Sequence, residues 1–215
     1  MVDRLPTSSP IDEAMRASLP APSAALTVRV VEGLRVLVLR HLTGGAATIE
    51  TALADHGLGP LPKPGACHGG DPWLLWAGPA EYLLLATKGA VADSVLHALA
   101  PGREALSCAL DQSAACLVLE LLGHGVADVL PRLLDASAIP QSAGQGGRTR
   151  LVDIPVVHLH LKSDRSLLAV DRTYGGYAVQ WIRQASKDVA SPSWPCSDAG
   201  RDSSSDCFAT TNSRQ

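Results

Sequence analysis

The sequence predicts an α+β protein made of two similar antiparallel sheet-plus-helix halves. Three observations predict it. The hydrophobic period switches repeatedly between two residues and about 3.6 along the body of the chain. Four helical stripes are mixed with runs of strand, which is the α+β pattern. The second half then restates the theme of the first. At 215 residues and ~150 residues per domain, the chain makes one large or two small domains.

The elements follow in order. Val28 to Arg40 is rich in β-branched residues and predicts strand, with an interruption at Glu32-Gly33. Ile49, Ala52, Leu53 and His56 fall at i, i+3, i+4 and i+7, a helical stripe. Trp73–Ala77 and Tyr82–Ala86 flank the turn signal Gly78-Pro79 and predict two strands. A second stripe, Ala92, Val95, Leu96 and Leu99, is stopped by Pro101-Gly102. Ala105–Leu110 and Ala114–Leu121 then predict strands.

Val126, Val129, Leu130, Leu133 and Leu134 form a third stripe. Strands are expected over Thr149–Asp153, Val156–Leu161 and Leu167–Val170. The last stripe is Tyr174, Tyr177, Ala178, Trp181 and Ala185, with Asp171 or Thr173 as its N-cap. Gly175 and Gly176 each weaken that helix by ~1 kcal/mol relative to Ala, so packing of its aromatic face is expected to hold it.

Composition removes several function classes. With 18 Lys+Arg against 21 Asp+Glu the net charge is −3, which gives no electrostatic case for nucleic acid. No apolar run approaches the ~18 residues of a transmembrane helix. The N-terminus carries Asp3, Arg4, Asp12 and Glu13 where a secretory signal needs an apolar stretch. Cys67, Cys108, Cys116, Cys196 and Cys207 are odd in number and lack C-x-x-C spacing, so reduced cytosolic thiols are the simpler reading. The expected location is cytoplasmic. Residues 1–23, with four prolines, are expected to be a flexible lead-in. Residues 24–186 form the folded domain, and 187–215, with seven serines, a disordered tail that offers little to bury.

Few residues nominate chemistry. His158 and His160 share one face of a strand and could hold a metal with a third ligand. With Val157, Leu159 and Leu161 on the other face, a solvated or interface position for the histidines is the plainer expectation. Cys67-His68 stands in a Gly/Pro-rich loop with no partner nearby in sequence. Gly144-Gln145-Gly146-Gly147 leads into strand, whereas phosphate cradling needs a helix N-terminus. Asp111 and Asp171 suit turn and cap duty; Glu120 and Asp153 complete the acidic residues of note. No serine stands in a nucleophile elbow. The residues by themselves thus predict no catalytic, cofactor-binding or metal site in this chain.

Four segments in order carry a resemblance. Gly78-Pro79-Ala80-Glu81-Tyr82-Leu83-Leu84-Leu85 comes first. Asp111-Gln112-Ser113-Ala114-Ala115-Cys116 follows, running through Leu121 to Gly123 and the next helix. Then come Arg148-Thr149-Arg150-Leu151 with Ile154-Pro155-Val156, and Val170-Asp171-Arg172-Thr173-Tyr174 leading to Trp181-Ile182. Over roughly residues 26–186 the chain resembles the gamma subunit of heterotetrameric sarcosine oxidase.

The resemblance implies a truncated folate-binding domain of the aminomethyltransferase type, serving as a structural partner of alpha, beta and delta subunits. It implies a complex that demethylates sarcosine oxidatively, sends the one-carbon unit to tetrahydrofolate and electrons to oxygen, and carries FAD, FMN and NAD on other chains. Where aminomethyltransferases continue with an Asn, a Gly-Gly run and paired aspartates, this chain has Asp153-Ile154-Pro155-Val156-Val157-His158. That departure predicts no independent folate chemistry. Two alternatives accompany this reading: a stand-alone folate-binding or aminomethyltransferase-like module, and a subunit of a complex oxidising another N-methyl amino acid.

Overall fold

The computed structural model describes residues 11–100 and 106–189. Its first helix is α1 (Glu13–Ala17), followed by strands β1 (Thr27–Val30) and β2 (Arg35–His41) and helix α2 (Ala46–Ala54). Strands β3 (Cys67–His68), β4 (Trp73–Gly78) and β5 (Glu81–Ala86) precede helix α3 (Gly89–Ala98). Then come β6 (Ser107–Asp111), β7 (Cys116–Leu122), helix α4 (Val126–Leu133), β8 (Gln145–Leu151), β9 (Ile154–Lys162), β10 (Arg165–Asp171) and helix α5 (Gly175–Ala185).

Among the described residues the strands make two five-stranded antiparallel sheets. From one edge, the first runs β3-β4-β5-β2-β6 and the second β8-β9-β10-β7-β1. The orders match strand for strand: hairpin β4-β5 with β9-β10, β2 with β7, and the outer strand β6 with β1. The helices match too, since α2 and α4 follow β2 and β7 while α3 and α5 follow β5 and β10. This is the expected pair of antiparallel halves, with one exchange. The strand that completes the second sheet comes from ahead of the first. The interruption at Glu32-Gly33 is therefore a change of sheet, with β1 paired to β7 and β2 to β5 and β6.

Three apolar layers follow from strand alternation. Val36, Leu75, Leu83 and Leu85 of the first sheet meet Val118, Leu159, Leu167 and Ala169 of the second. On the far side of the first sheet, Leu37, Leu39, Leu74 and Leu84 pack under Ile49 and Leu53 of α2 and Ala92 and Val95 of α3. On the far side of the second, Leu117, Leu119, Leu168 and Val170 pack under α4 and α5. The stack is helix, sheet, sheet, helix.

Two details differ from expectation. Helix α5 buries Gly175, Ala178, Val179, Ile182 and Ala185, whereas Tyr174 and Trp181 stand exposed. Of the expected stripe, Ala178 and Ala185 are inside and Tyr177 is half-buried against the core, while Tyr174 and Trp181 lie on the outer edge of the helix. A Cβ on Gly175 would stand 3.0 Å from a methyl of Leu117 and 3.2 Å from the Met15 sulfur, so its bare backbone admits a neighbour. That neighbour belongs to the expected lead-in. Ile11 is buried, Met15 and Leu19 pack on the same layer, and Asp12 caps α1 by accepting from the Met15 amide at 2.7 Å. The i, i+4, i+8 spacing of Ile11, Met15 and Leu19 was the signal. At the other end Val189 packs against the second-sheet layer; the rest of the expected tail, from Ala190, lies outside the described residues, as does Ala105.

The glycine run 144–147 also has a packing reason. β8 starts at Gln145, inside the run, and threads between β9 and the loop before β3. The Gly146 amide donates to the Gly65 carbonyl at 3.1 Å, and a Cβ there would stand 2.4 Å from the His158 carbonyl oxygen. Gly146→Ala should therefore lower stability by about 1–3 kcal/mol, the range of an overpacked interior. A urea midpoint unchanged from the parent would refute this account of the run.

Candidate functional site

The four segments that carry the resemblance are far apart in sequence and come together at the mouth of a cleft between the sheets. Glu81 opens β5 directly after the Gly78-Pro79-Ala80 turn. One carboxylate oxygen accepts from Arg40 of β2 at 2.7 Å, and the other from Arg148 of β8 at 2.5 Å. This bridge ties the two sheets together. The Glu81 side chain is 14% exposed and both guanidiniums are over half exposed, so solvent screens each pair to roughly 1 kcal/mol or less. Glu81→Gln should cost about 1 kcal/mol at low salt, a difference from the parent that shrinks as salt is added. Equal losses in 1 M NaCl for variant and parent would show that the bridge contributes nothing.

Beside it lie two turns. Asp111 accepts from the Ser113 amide at 2.9 Å and hydroxyl at 2.5 Å, and from Arg35 at 2.7 Å. Partial burial works to raise the Asp111 pKa, but the Ser113 and Arg35 bonds outweigh it and hold the group below its ordinary value. Asp171 accepts from the Thr173 hydroxyl and amide, which lower its pKa likewise. It thereby caps the short 3-10 turn Arg172–Tyr174 that leads into α5. The Arg172 amide donates to the Ala115 carbonyl at 2.8 Å, which places the two turns side by side.

The cleft they border measures about 250 Å³ and is walled by Val38, Leu83, Val157 and Ala169, with Cys116 and Arg148 also lining it. Burial, and then the Asp171 carboxylate, push the Cys116 thiol up to about 11, so it is not a thiolate at neutral pH. A general base has to be free to take a proton near the working pH. Here Asp111 and Asp171 are held acidic by the bonds that form their turns, and Glu81 is spent on two arginines. The arrangement joins the halves.

The remaining candidates are dispersed. His158 corrects the expected solvated face. The even positions of β9 point to the helix layer, so the ring is buried, with Nε2 3.2 Å from the Ser166 hydroxyl. Burial, then His160, push His158 down to about 4, which keeps it neutral. His160 Nδ1 lies 3.4 Å from the same hydroxyl. Among the described residues no three metal-ligating side chains gather. Cys67 is pushed up to about 11 chiefly by burial, and His68 Nδ1 lies 2.8 Å from the Pro60 carbonyl. Asp153 accepts from the Tyr177 hydroxyl at 2.6 Å. Glu120 is buried between Arg29 and Arg165 at 2.6 Å each. The bridge Arg40–Glu81–Arg148 was missed from spacing alone, because its members lie on three strands of two sheets.

No protein-family description matches the chain, and no curated protein does. Solved structures do. A chain of heterotetrameric sarcosine oxidase from Corynebacterium sp. U-96 is 28% identical, with a TM-score of 0.70 over 84% of this chain and 93% of that one. Glycine cleavage system aminomethyltransferase T from Bartonella henselae is 13% identical, with a TM-score of 0.55 over 79% of this chain. The match spans about half, 47%, of the aminomethyltransferase chain and shows the fold alone. Among the described residues no helix is long and apolar enough to cross a membrane. The fold is thus that of a sarcosine oxidase chain and of part of an aminomethyltransferase.

Proposed function

We propose that this chain is a non-catalytic subunit of a sarcosine oxidase-type flavoenzyme complex, in the place of the gamma chain, assembled with alpha, beta and delta subunits in the cytoplasm. The observation that carries the reading is the likeness to a chain of a heterotetrameric sarcosine oxidase over 84% of this chain and 93% of that one. The complex demethylates sarcosine to glycine, with tetrahydrofolate taking the one-carbon unit and oxygen the electrons. FAD, FMN and NAD belong to the other chains.

Two features of the inter-sheet cleft support the reading that tetrahydrofolate is held by another chain. At about 250 Å³ the cleft is below the ~300–1,000 Å³ of ligand pockets, and the carboxylates at its mouth are already engaged. After β8, Asp153 is held by Tyr177 where the aminomethyltransferase pattern places a glycine turn and an acid pair. The aminomethyltransferase fold nevertheless favours one alternative, a stand-alone folate-binding module. A complex acting on another N-methyl amino acid would use the same subunit architecture.

Tagged co-purification from native cells, with stoichiometry, visible spectrum and oxidase activity recorded together, tests the proposal. The expected result is co-elution with larger yellow subunits that oxidise sarcosine. A colourless chain that elutes alone and titrates with tetrahydrofolate would replace it with the module. Activity on a different N-methyl amino acid only would keep the subunit role and change the substrate.

A further inference from the structure

The two sheets match strand for strand, yet their outer flanks carry opposite surfaces. Beside β1, the flank is a charge ladder in which Arg29 and Arg165 cover Glu120. Beside β6, at the corresponding place, the flank is apolar. Leu106, Cys108 and Leu110 alternate along the strand and so share one face, the face that Arg40 and Leu42 of the neighbouring chain segment also present. Leu42 is 64% exposed, Leu106 42% and Leu110 44%. Isolated exposed leucines need no explanation, but a contiguous strip of them on one flank does.

That strip also borders open backbone. β6 is the outer strand of its sheet, paired among the described residues to β2 alone. The Leu106 carbonyl accepts from the Leu42 amide, and the Gln112 amide donates to the Val36 carbonyl. In an antiparallel ladder the hydrogen-bonded residues alternate. Ser107, Ala109 and Asp111 therefore turn their N–H and C=O groups outward, available to one more strand. At the head of the strip is a groove of about 370 Å³ between Leu42, Pro79 and Leu106. Ser107 borders it, and its buried hydroxyl has no hydrogen-bond partner.

Charge selects the occupant. Beside the strip, two guanidiniums, Arg40 and Arg148, share the single carboxylate of Glu81, which leaves one net positive charge. A second copy of this chain is poorly suited to answer it, because Asp111, the acid on β6, already serves Arg35 and Ser113. We propose that the β6 flank docks an extended segment of a different subunit, which adds a strand to the first sheet, lays alternate apolar side chains on Leu106 and Leu110, and brings an acidic side chain to Arg40. This deepens the subunit reading of the chain and rests on it. Main-chain bonds to a sheet edge supply affinity, and the alternate side chains supply specificity.

The test uses the full chain in its purified complex. A photo-crosslinking benzoylphenylalanine at position 110 should join a peptide of another subunit containing Asp or Glu between apolar residues. The Ala109 and Asp111 amides should exchange at least tenfold more slowly in the complex than in the free chain. The double variant L42K/L110K should lose co-purifying subunits at least tenfold while melting at the parent temperature, since both side chains are exposed. A crosslink to a second copy of this chain would overturn the proposal. So would an intact complex with the double variant and freely exchanging β6 amides, which would leave the subunit reading standing. If no complex forms from native cells, the subunit reading fails and this surface loses its occupant with it.

Discussion

A chain beginning at Glu32 should fail to fold, although it retains every strand of the first sheet. The matched halves explain why. The first sheet is a continuous stretch from β2 to β6, but the second is completed by β1, which pairs with β7 through Thr27 to Val30. The truncation removes Leu26 and Val28, both buried under α4 and α5, and the Arg29 partner of Glu120. Burial of two such side chains contributes about 3–6 kcal/mol, against a total stability of about 5–15 kcal/mol for a domain. The outer edge of β7 is also laid bare, with the leucines of its hydrophobic run behind it, which invites aggregation. Circular dichroism should show an aggregated or molten product. Adding a synthetic peptide of residues 11–31 in trans during refolding should restore a cooperative melt, because it returns the outer strand of the second sheet and the buried side chains Ile11, Leu26 and Val28. A truncated chain that melts at the parent temperature would show that the second sheet does not depend on β1.

The sequence made the elements legible and left the way they are joined illegible. Period-two and period-3.6 patterns depend on burial of one face, and nearly every strand and helix here has such a face. The stripes at Ile49–Leu53, Ala92–Leu99 and Val126–Leu133 therefore sit on α2, α3 and α4. The aromatic stripe of α5 only partly marks its inner face, because Tyr177 packs half-buried at the rim of the core and Trp181 lies outside it, their ring centroids 6.1 Å apart. The small residues Gly175 and Ala178 do the inward packing. Periodicity cannot tell which sheet receives a strand, so the passage from β1 to β2 looked like one interrupted strand. His158 was misplaced for a related reason. A strand with Val, Leu and His alternating has two candidate inner faces, and here both are covered. The site was legible only as order: the four resemblance segments converge, but nothing in their spacing shows that Glu81 reaches Arg148.

Acidification from pH 7 to 4.5 should cost the folded chain about 2–3 kcal/mol through His158. In the folded state burial, and then His160, hold this imidazole at about 4, against the ordinary value of 6.5. The unfolded chain therefore binds the proton first. Stability is complete above the unfolded pKa and drains away as pH falls toward the folded one. The full difference between 6.5 and about 4 corresponds to about 3 kcal/mol at 1.36 kcal/mol per unit. Asp111 and Asp171, held below the ordinary carboxylate value, contribute stability that is lost only at still lower pH. A charged ring has few compensations, for Nε2 meets only the Ser166 hydroxyl, and Nδ1 is buried without a hydrogen-bond partner. His158→Gln keeps a side-chain donor for Ser166 and removes the proton site, so its urea-derived stability should be nearly flat across the window. At pH 7 the variant should lie within about 1–2 kcal/mol of the parent, the worth of one rearranged buried hydrogen bond. Parallel acid losses in parent and variant would place the titration elsewhere and remove His158 as the origin of the acid limb.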